Sequence, residues 1–218
     1  MLNEFHKRIL SSIILIPLCF YFIIKGSFFF NFFLMICFLI TSFEWFKMSK
    51  NKVYHLFGYI FITFSFYCTY SLRNSVNDDS LIFFLLIIIT CISTDIGGYI
   101  FGKIFKGPKL TYISPNKTFS GMIGGYFLSI ITIYIFLDNL YLFTDYVVKF
   151  TYQYLIIVLV ISTMSQIGDI IVSYFKRLSK IKDTGKIIPG HGGILDRIDG
   201  MIFALPFSYL IFSLNLLR

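Results

Sequence analysis

Seven apolar stretches, each close to the length of a bilayer crossing, dominate this 218-residue chain. They run Ile9–Ile24, Gly26–Phe43, Val53–Leu72, Ser80–Gly102, Thr118–Leu137, Phe150–Phe175 and Gly200–Leu217. A spanning helix needs about 20 predominantly apolar residues to cross the hydrocarbon. Backbone amides in lipid find no water, so a stretch of this kind satisfies them internally by becoming a helix. Hydrophobic residues are 57% of the chain and charged residues 14%, against roughly 45–50% and about 25% in soluble domains. A soluble fold of this size cannot bury so much apolar surface. The same figures exclude disorder, collagen, coiled coil and a small disulfide scaffold. The expected architecture is all-α: a polytopic transmembrane helix bundle of about seven spans. Residues 1–79 form N-terminal transmembrane helices, and 80–218 form the transmembrane domain that carries the polar site.

Lysine and arginine placement orients such a bundle, because cytoplasmic loops carry the excess. A cytoplasmic N-terminus puts Lys7 and Arg8 inside, then Lys47, Lys50 and Lys52, and then Lys103, Lys106, Lys109 and Lys117. Lys176, Arg177, Lys180, Lys182, Lys186 and Arg197 follow on the same side. Only Lys25, Arg73, Lys149 and Arg218 fall outside, with Asp78, Asp79, Asp138 and Asp145. The net charge of +8 is therefore read as topology and as attraction for an anionic substrate, with no nucleic acid implied. The four cysteines, Cys19, Cys37, Cys68 and Cys91, sit inside apolar runs without metal-ligand spacing and read as small buried hydrophobes.

Two spans carry an acid, Asp95 and Asp169. A charge at the bilayer centre costs at least about 2.5 kcal/mol, so each must face protein or a polar cavity. Either pairs with a basic residue and pins two helices, or it belongs to a site. Helical spacing places Asp169, Ser173, Lys176 and Arg177 on one face. The following loop reads Lys182-Asp183-Thr184-Gly185, Pro189-Gly190-His191-Gly192-Gly193 and Asp196-Arg197-Ile198-Asp199. Its glycines permit φ > 0 and bring backbone amides close to a phosphate. Asp196 and Asp199, at i and i+3, share a face at the start of the last helix. With Asp169 they give three carboxylates, an oxygen donor set that suits Mg²⁺. The preceding loop region supplies Asp95, Gly97, Gly98, Tyr99 and Lys103, then Ser114, Pro115, Lys117, Thr118, Ser120 and Gly121.

The pattern resembles the phosphatidate cytidylyltransferase family, the CDP-diacylglycerol synthases. Its motif S-x-x-K-R-x4-K-D, then a small residue, then P-x-H-G-G-x-x-D-R-x-D, fits Ser173, Lys176, Arg177, Lys182, Asp183, Gly185, Pro189, His191, Gly192, Gly193, Asp196, Arg197 and Asp199. A second element, D-x-G-A-Y-x-x-G-[KR] and S-P-x-K-T-x-E-G, fits Asp95, Gly97, Tyr99, Gly102, Lys103, Ser114, Pro115, Lys117, Thr118 and Gly121. Gly98 stands where alanine is common, and Ser120 where an acid is expected.

The resemblance implies transfer of CMP from CTP to phosphatidate, giving CDP-diacylglycerol and pyrophosphate. It implies Mg²⁺ on Asp169, Asp196 and Asp199, with a second cation nearby. Lys176, Arg177, His191 and Arg197 would stabilise charge during transfer. Asp95, Lys103, Ser114, Lys117, Thr118, Ser173, Lys182, Asp183, Gly192 and Gly193 would bind substrate. It further implies a homodimer in a bacterial inner membrane, among membrane lipid, with the active site facing the cytoplasm. A related CTP enzyme acting on an isoprenoid or archaeal-type lipid fits the same residues. A transporter fits less well, because the polar residues gather on one side and no repeat is evident.

Overall fold

The computed structural model describes residues 4–75, 80–114, 116–142, 148–190 and 192–214. Among these the architecture is helical: α1 (Glu4–Lys25), α2 (Ser27–Ser49), α3 (His55–Arg73), α4 (Ser80–Phe105), α5 (Phe119–Asp138), α6 (Tyr152–Leu178), α7 (Leu195–Ile198) and α8 (Met201–Ser213). A short 3-10 turn, Leu140–Leu142, follows α5. No strand occurs among the described residues; β-pairing is limited to isolated bridges. Each of the seven apolar stretches forms a helix over most of its described residues. Four helices, α2, α4, α5 and α6, are long and apolar enough to cross a membrane. The apolar parts of α1 (Ser11–Lys25) and α8 are shorter, and the Ser-, Thr- and Tyr-bearing α3 is not among the four.

The chain divides into two compact units. The first joins Met1–Leu81 to Phe175–Asp199, and the second joins Ile82–Tyr174 to Gly200–Arg218. The polar segment 175–199 therefore groups with the N-terminal helices rather than with the rest of 80–218.

In the first unit α2 packs against both α1 and α3 and meets α7. Gly26, at φ 64°, makes the sharp turn from α1 to α2. Arg73 reaches that turn and donates from Nε to the Ile23 carbonyl at 2.8 Å. It thereby satisfies a carbonyl that the end of α1 leaves without a helical partner. The α2–α3 turn is fixed by Trp45 Nε1 donating to the His55 carbonyl at 3.0 Å, and by Ser49 Oγ against His55 Nδ1 at 2.7 Å. The end of α6 docks on this turn. Phe175 lies edge-on to Trp45, with ring centroids 5.4 Å apart, and Ser179 Oγ donates to the Met48 carbonyl at 2.7 Å.

In the second unit, small residues let α4 and α5 approach at backbone distance. A Cβ on Gly97 would overlap the Gly124 carbonyl oxygen, and one on Gly121 would stand 2.7 Å from the Gly98 carbonyl oxygen. Small-residue seams of this kind suit lipid, where close van der Waals packing takes over from the hydrophobic effect. Thr94 Oγ1 donates to Ser162 Oγ at 2.9 Å, tying α4 to α6. A Cβ on Gly200 would overlap Ser165 Oγ, so the start of α8 is pressed equally closely on α6. Half of the spanning window of α4 is buried, against 17% for α2, which makes α4 the more enclosed helix.

Candidate active site

Two carboxylates organise the segment after α6. Asp196 is nearly buried, with its side chain 3% exposed. Its Oδ2 accepts the backbone amides of Thr184 at 2.8 Å and Gly193 at 3.0 Å. Its Oδ1 accepts from Lys176 Nζ at 3.0 Å. Asp199 Oδ2 lies 3.8 Å from the same ammonium. The i, i+3 spacing brings both acids to one cation, but from the short α7 and its C-cap rather than from the start of the last helix, α8. Burial of an ion is tolerated here because each charge finds an opposite charge or a donor.

The second carboxylate is Glu44 of α2, which the motifs leave out. It is 1% exposed. It accepts Thr184 Oγ1 at 3.0 Å, the Ile194 amide at 3.0 Å and the Leu195 amide at 2.8 Å. Three donors on one carboxylate are charge-assisted bonds, stronger than neutral ones. Two motif glycines are shaped around it. A Cβ on Gly185 would stand 2.5 Å from Glu44 Oε1, and one on Gly193 would meet both Glu44 oxygens at 2.5 Å. The sequence signal was an acid within an apolar run, one residue past the stretch Gly26–Phe43 and beside the sole tryptophan.

The loop amides are therefore turned inward. The amides of Thr184, Gly193, Ile194 and Leu195 go to Asp196 and Glu44. Gly192 does take φ 90°, as the loop reading anticipates. It also stands hard against Asp196, since a Cβ there would lie 2.8 Å from Oδ2. Lys182, Asp183 and Arg197 are exposed. Exposed Arg177 donates to the Ile181 carbonyl at 3.3 Å, just beyond the end of α6. His191 lies outside the described residues, as do Pro115, Asp78, Asp79 and Asp145.

The second unit holds the remaining positions. α6 is continuous from Tyr152 to Leu178, so Asp169, Ser173, Lys176 and Arg177 share one helix. Ser173 Oγ donates to Asp169 Oδ1 at 3.3 Å. Lys117 Nζ meets Asp169 Oδ2 at 2.5 Å, an ion pair without the angle of a directed hydrogen bond. Thr118 is the N-cap of α5, accepting the Gly121 amide at 3.1 Å. Ser120 closes the adjoining loop, bonding Thr118 Oγ1 at 3.0 Å and donating to the Lys106 carbonyl at 3.2 Å. Ser114 is half-buried, and its amide donates to Thr111 Oγ1 at 3.2 Å. Asp95 and Lys103 are exposed and lie within α4 rather than in a loop. Lys103 lies over the ring of Tyr99. Gly97 and Gly102 of this element face α5, so their first role is helix packing.

Among the described residues, no three His, Cys, Asp or Glu side chains come together closely enough to share a metal ion. The donor chemistry still suits Mg²⁺. Asp196 Oδ1 and Asp199 Oδ2 both face a positive charge, supplied by the Lys176 ammonium.

The family model described as the cytidylyltransferase family matches residues 56–215, and the chain belongs to that family. Among curated relatives, the phosphatidate cytidylyltransferase of Rickettsia felis is 35% identical over 218 residues, covering 96% of this chain and 92% of that protein. That of Rickettsia bellii is 34% identical over 98% of this chain and 93% of its own length. That of Staphylococcus haemolyticus is 36% identical over 166 residues, 73% of this chain and 60% of that protein. The chain thus spans about 60% of the staphylococcal relatives it matches.

Proposed function

We propose that this chain is a phosphatidate cytidylyltransferase, transferring CMP from CTP to phosphatidate to give CDP-diacylglycerol and pyrophosphate. The observation that carries the reading is Lys176 held between Asp196 and Asp199, in a chain matched over nearly its whole length by relatives of that name. A phosphate oxygen of phosphatidate attacks the α-phosphorus of CTP, and the bond to the pyrophosphate oxygen breaks. The attacking oxygen is already ionised at neutral pH, so no strong base is needed. Two anions must be brought together, which makes charge neutralisation and positioning the main catalytic effects.

In this reading Asp169, Asp196 and Asp199 would hold Mg²⁺, and the resemblance implies a second cation. The share of Asp169 rests on the sequence pattern alone. Bound there, Mg²⁺ would offset phosphate charge and orient CTP. Lys176, Arg177, Arg197 and His191 would stabilise charge on the phosphates during transfer. Lys117, Ser114 and Thr118 would help hold CTP. Asp95, Lys103, Ser173, Lys182, Asp183, Gly192 and Gly193 complete the proposed binding set. A seven-span bundle with a cytoplasmic N-terminus and active site, as a homodimer in a bacterial inner membrane, belongs to the same proposal. The distribution of basic residues supports its orientation.

The test is conversion of labelled CTP by the purified chain in detergent, with phosphatidate or an isoprenoid phosphate as acceptor. Mg²⁺-dependent labelled CDP-diacylglycerol and pyrophosphate are expected with phosphatidate. Asp196→Asn should lower turnover at least about a hundredfold while folded protein remains in the membrane. Near-normal turnover in that variant removes the metal assignment, and product from the isoprenoid phosphate alone reassigns the substrate.

A further inference from the structure

We propose that Glu44 is a positioning residue of the site. From α2 it holds the acid-bearing loop in the one arrangement that presents Asp196 and Asp199 to a divalent cation. The part that concerns the cation rests on the function proposed above; the part that concerns the loop does not.

Glu44 is a buried carboxylate near the C-terminal end of the apolar helix α2, yet among the described residues no basic side chain donates to it. Its donors are Thr184 Oγ1 and the amides of Ile194 and Leu195. A buried charge is costly unless fully bonded, so its presence requires those three donors to stay in place. The donors are not scattered. Thr184 opens the loop and also gives its amide to Asp196. Ile194 and Leu195 lead directly into Asp196, and Gly193, which packs on Glu44, gives its amide to Asp196 as well. Glu44 and Asp196 thus hold the same strip of chain, residues 184 and 193–195. Withdrawing Glu44 frees one grip, and the other carboxylate is the proposed metal ligand itself.

Neutral isosteres separate this role from simple packing. Glu44→Gln keeps the volume but replaces one acceptor oxygen with an amino group facing donors. Hydrogen exchange on the full chain in detergent should then show the Ile194 and Leu195 amides exchanging at least tenfold faster than in the parent. Amides of α5, in the other unit, should be unchanged. Adding Mg²⁺ alone to the parent should slow exchange across residues 193–199, and Glu44→Gln should raise the half-saturating Mg²⁺ concentration about tenfold.

If Glu44→Gln does not yield folded protein, Thr184→Val removes one donor to the same carboxylate and should give the same pattern at smaller amplitude. Unchanged exchange at Ile194 and Leu195 overturns the proposal. Faster exchange with an unshifted Mg²⁺ response makes Glu44 a purely structural anchor and overturns the positioning role. A parent chain with no Mg²⁺ response contradicts the metal assignment of the proposed function, while exchange at Ile194 and Leu195 still decides whether Glu44 holds the loop.

Discussion

The two units of this chain solve the problem of polar groups in an apolar setting by different means. In the first, full charges are buried and satisfied mostly by donors beyond their own helical turn: Glu44 by the 184–195 loop, Asp196 by Lys176 and the Thr184 amide, with the nearby Gly193 amide added. In the second, the buried polar groups are mostly hydroxyls bonded one helical turn back. Thr90 Oγ1 donates to the Leu86 carbonyl at 2.7 Å, and Ser208 Oγ to the Ala204 carbonyl at 2.8 Å. Its close contacts include backbone against backbone, Gly97 on the Gly124 carbonyl and Gly121 on the Gly98 carbonyl. Local hydroxyl bonds let a helix enter lipid ready-made. Long-range charged bonds form only once the chain has folded, and they hold one geometry. The contrast separates a unit whose buried polar groups are met mostly within their own helix from one whose buried charges are met across the chain.

Substitutions at glycines test this division most directly. Gly97→Leu should be the most damaging, because its side chain meets the rigid Gly124 backbone. Overpacking of this kind should cost at least about 3 kcal/mol, read as a large drop in the thermal midpoint in detergent. Gly193→Ala should cost less, about 1–3 kcal/mol, because the groups it meets are side-chain ends of Glu44 and Thr184. A Gly193→Ala loss exceeding that of Gly97→Leu would break the comparison. Thr118→Ala should be the mildest, about 1 kcal/mol for a lost N-cap, again by thermal midpoint. A loss much above that value would mean that Thr118 does more than cap α5.

The helices were legible because hydrophobic length is a local property. Val53–Leu72 became His55–Arg73, and Phe150–Phe175 became Tyr152–Leu178, each within a few residues. The pairing of Asp196 with Asp199 was legible for the same reason, since i, i+3 spacing needs no knowledge of the rest of the chain. The partner of Asp169 was legible only as a type. A pinning basic residue was one of two readings, but nothing local distinguishes Lys117 from the other lysines. Glu44 was hidden further. It sits at the border of an apolar run, where an acid passes for the end of a span, and its donors lie more than a hundred residues away. The glycines were read for freedom at φ > 0. Gly192 uses that freedom, whereas Gly193 is needed for the space a neighbouring carboxylate takes.

The position of Glu44 bears on how this protein could be dissected or recombined. It precedes the matched family region, which begins at residue 56, yet its hydrogen bonds end inside that region's most chemically dense loop. A fragment cut at residue 56 would lose the counterpart of its own loop. A chimera joining this C-terminal part to foreign leading helices would need an acid of equal reach at the same depth.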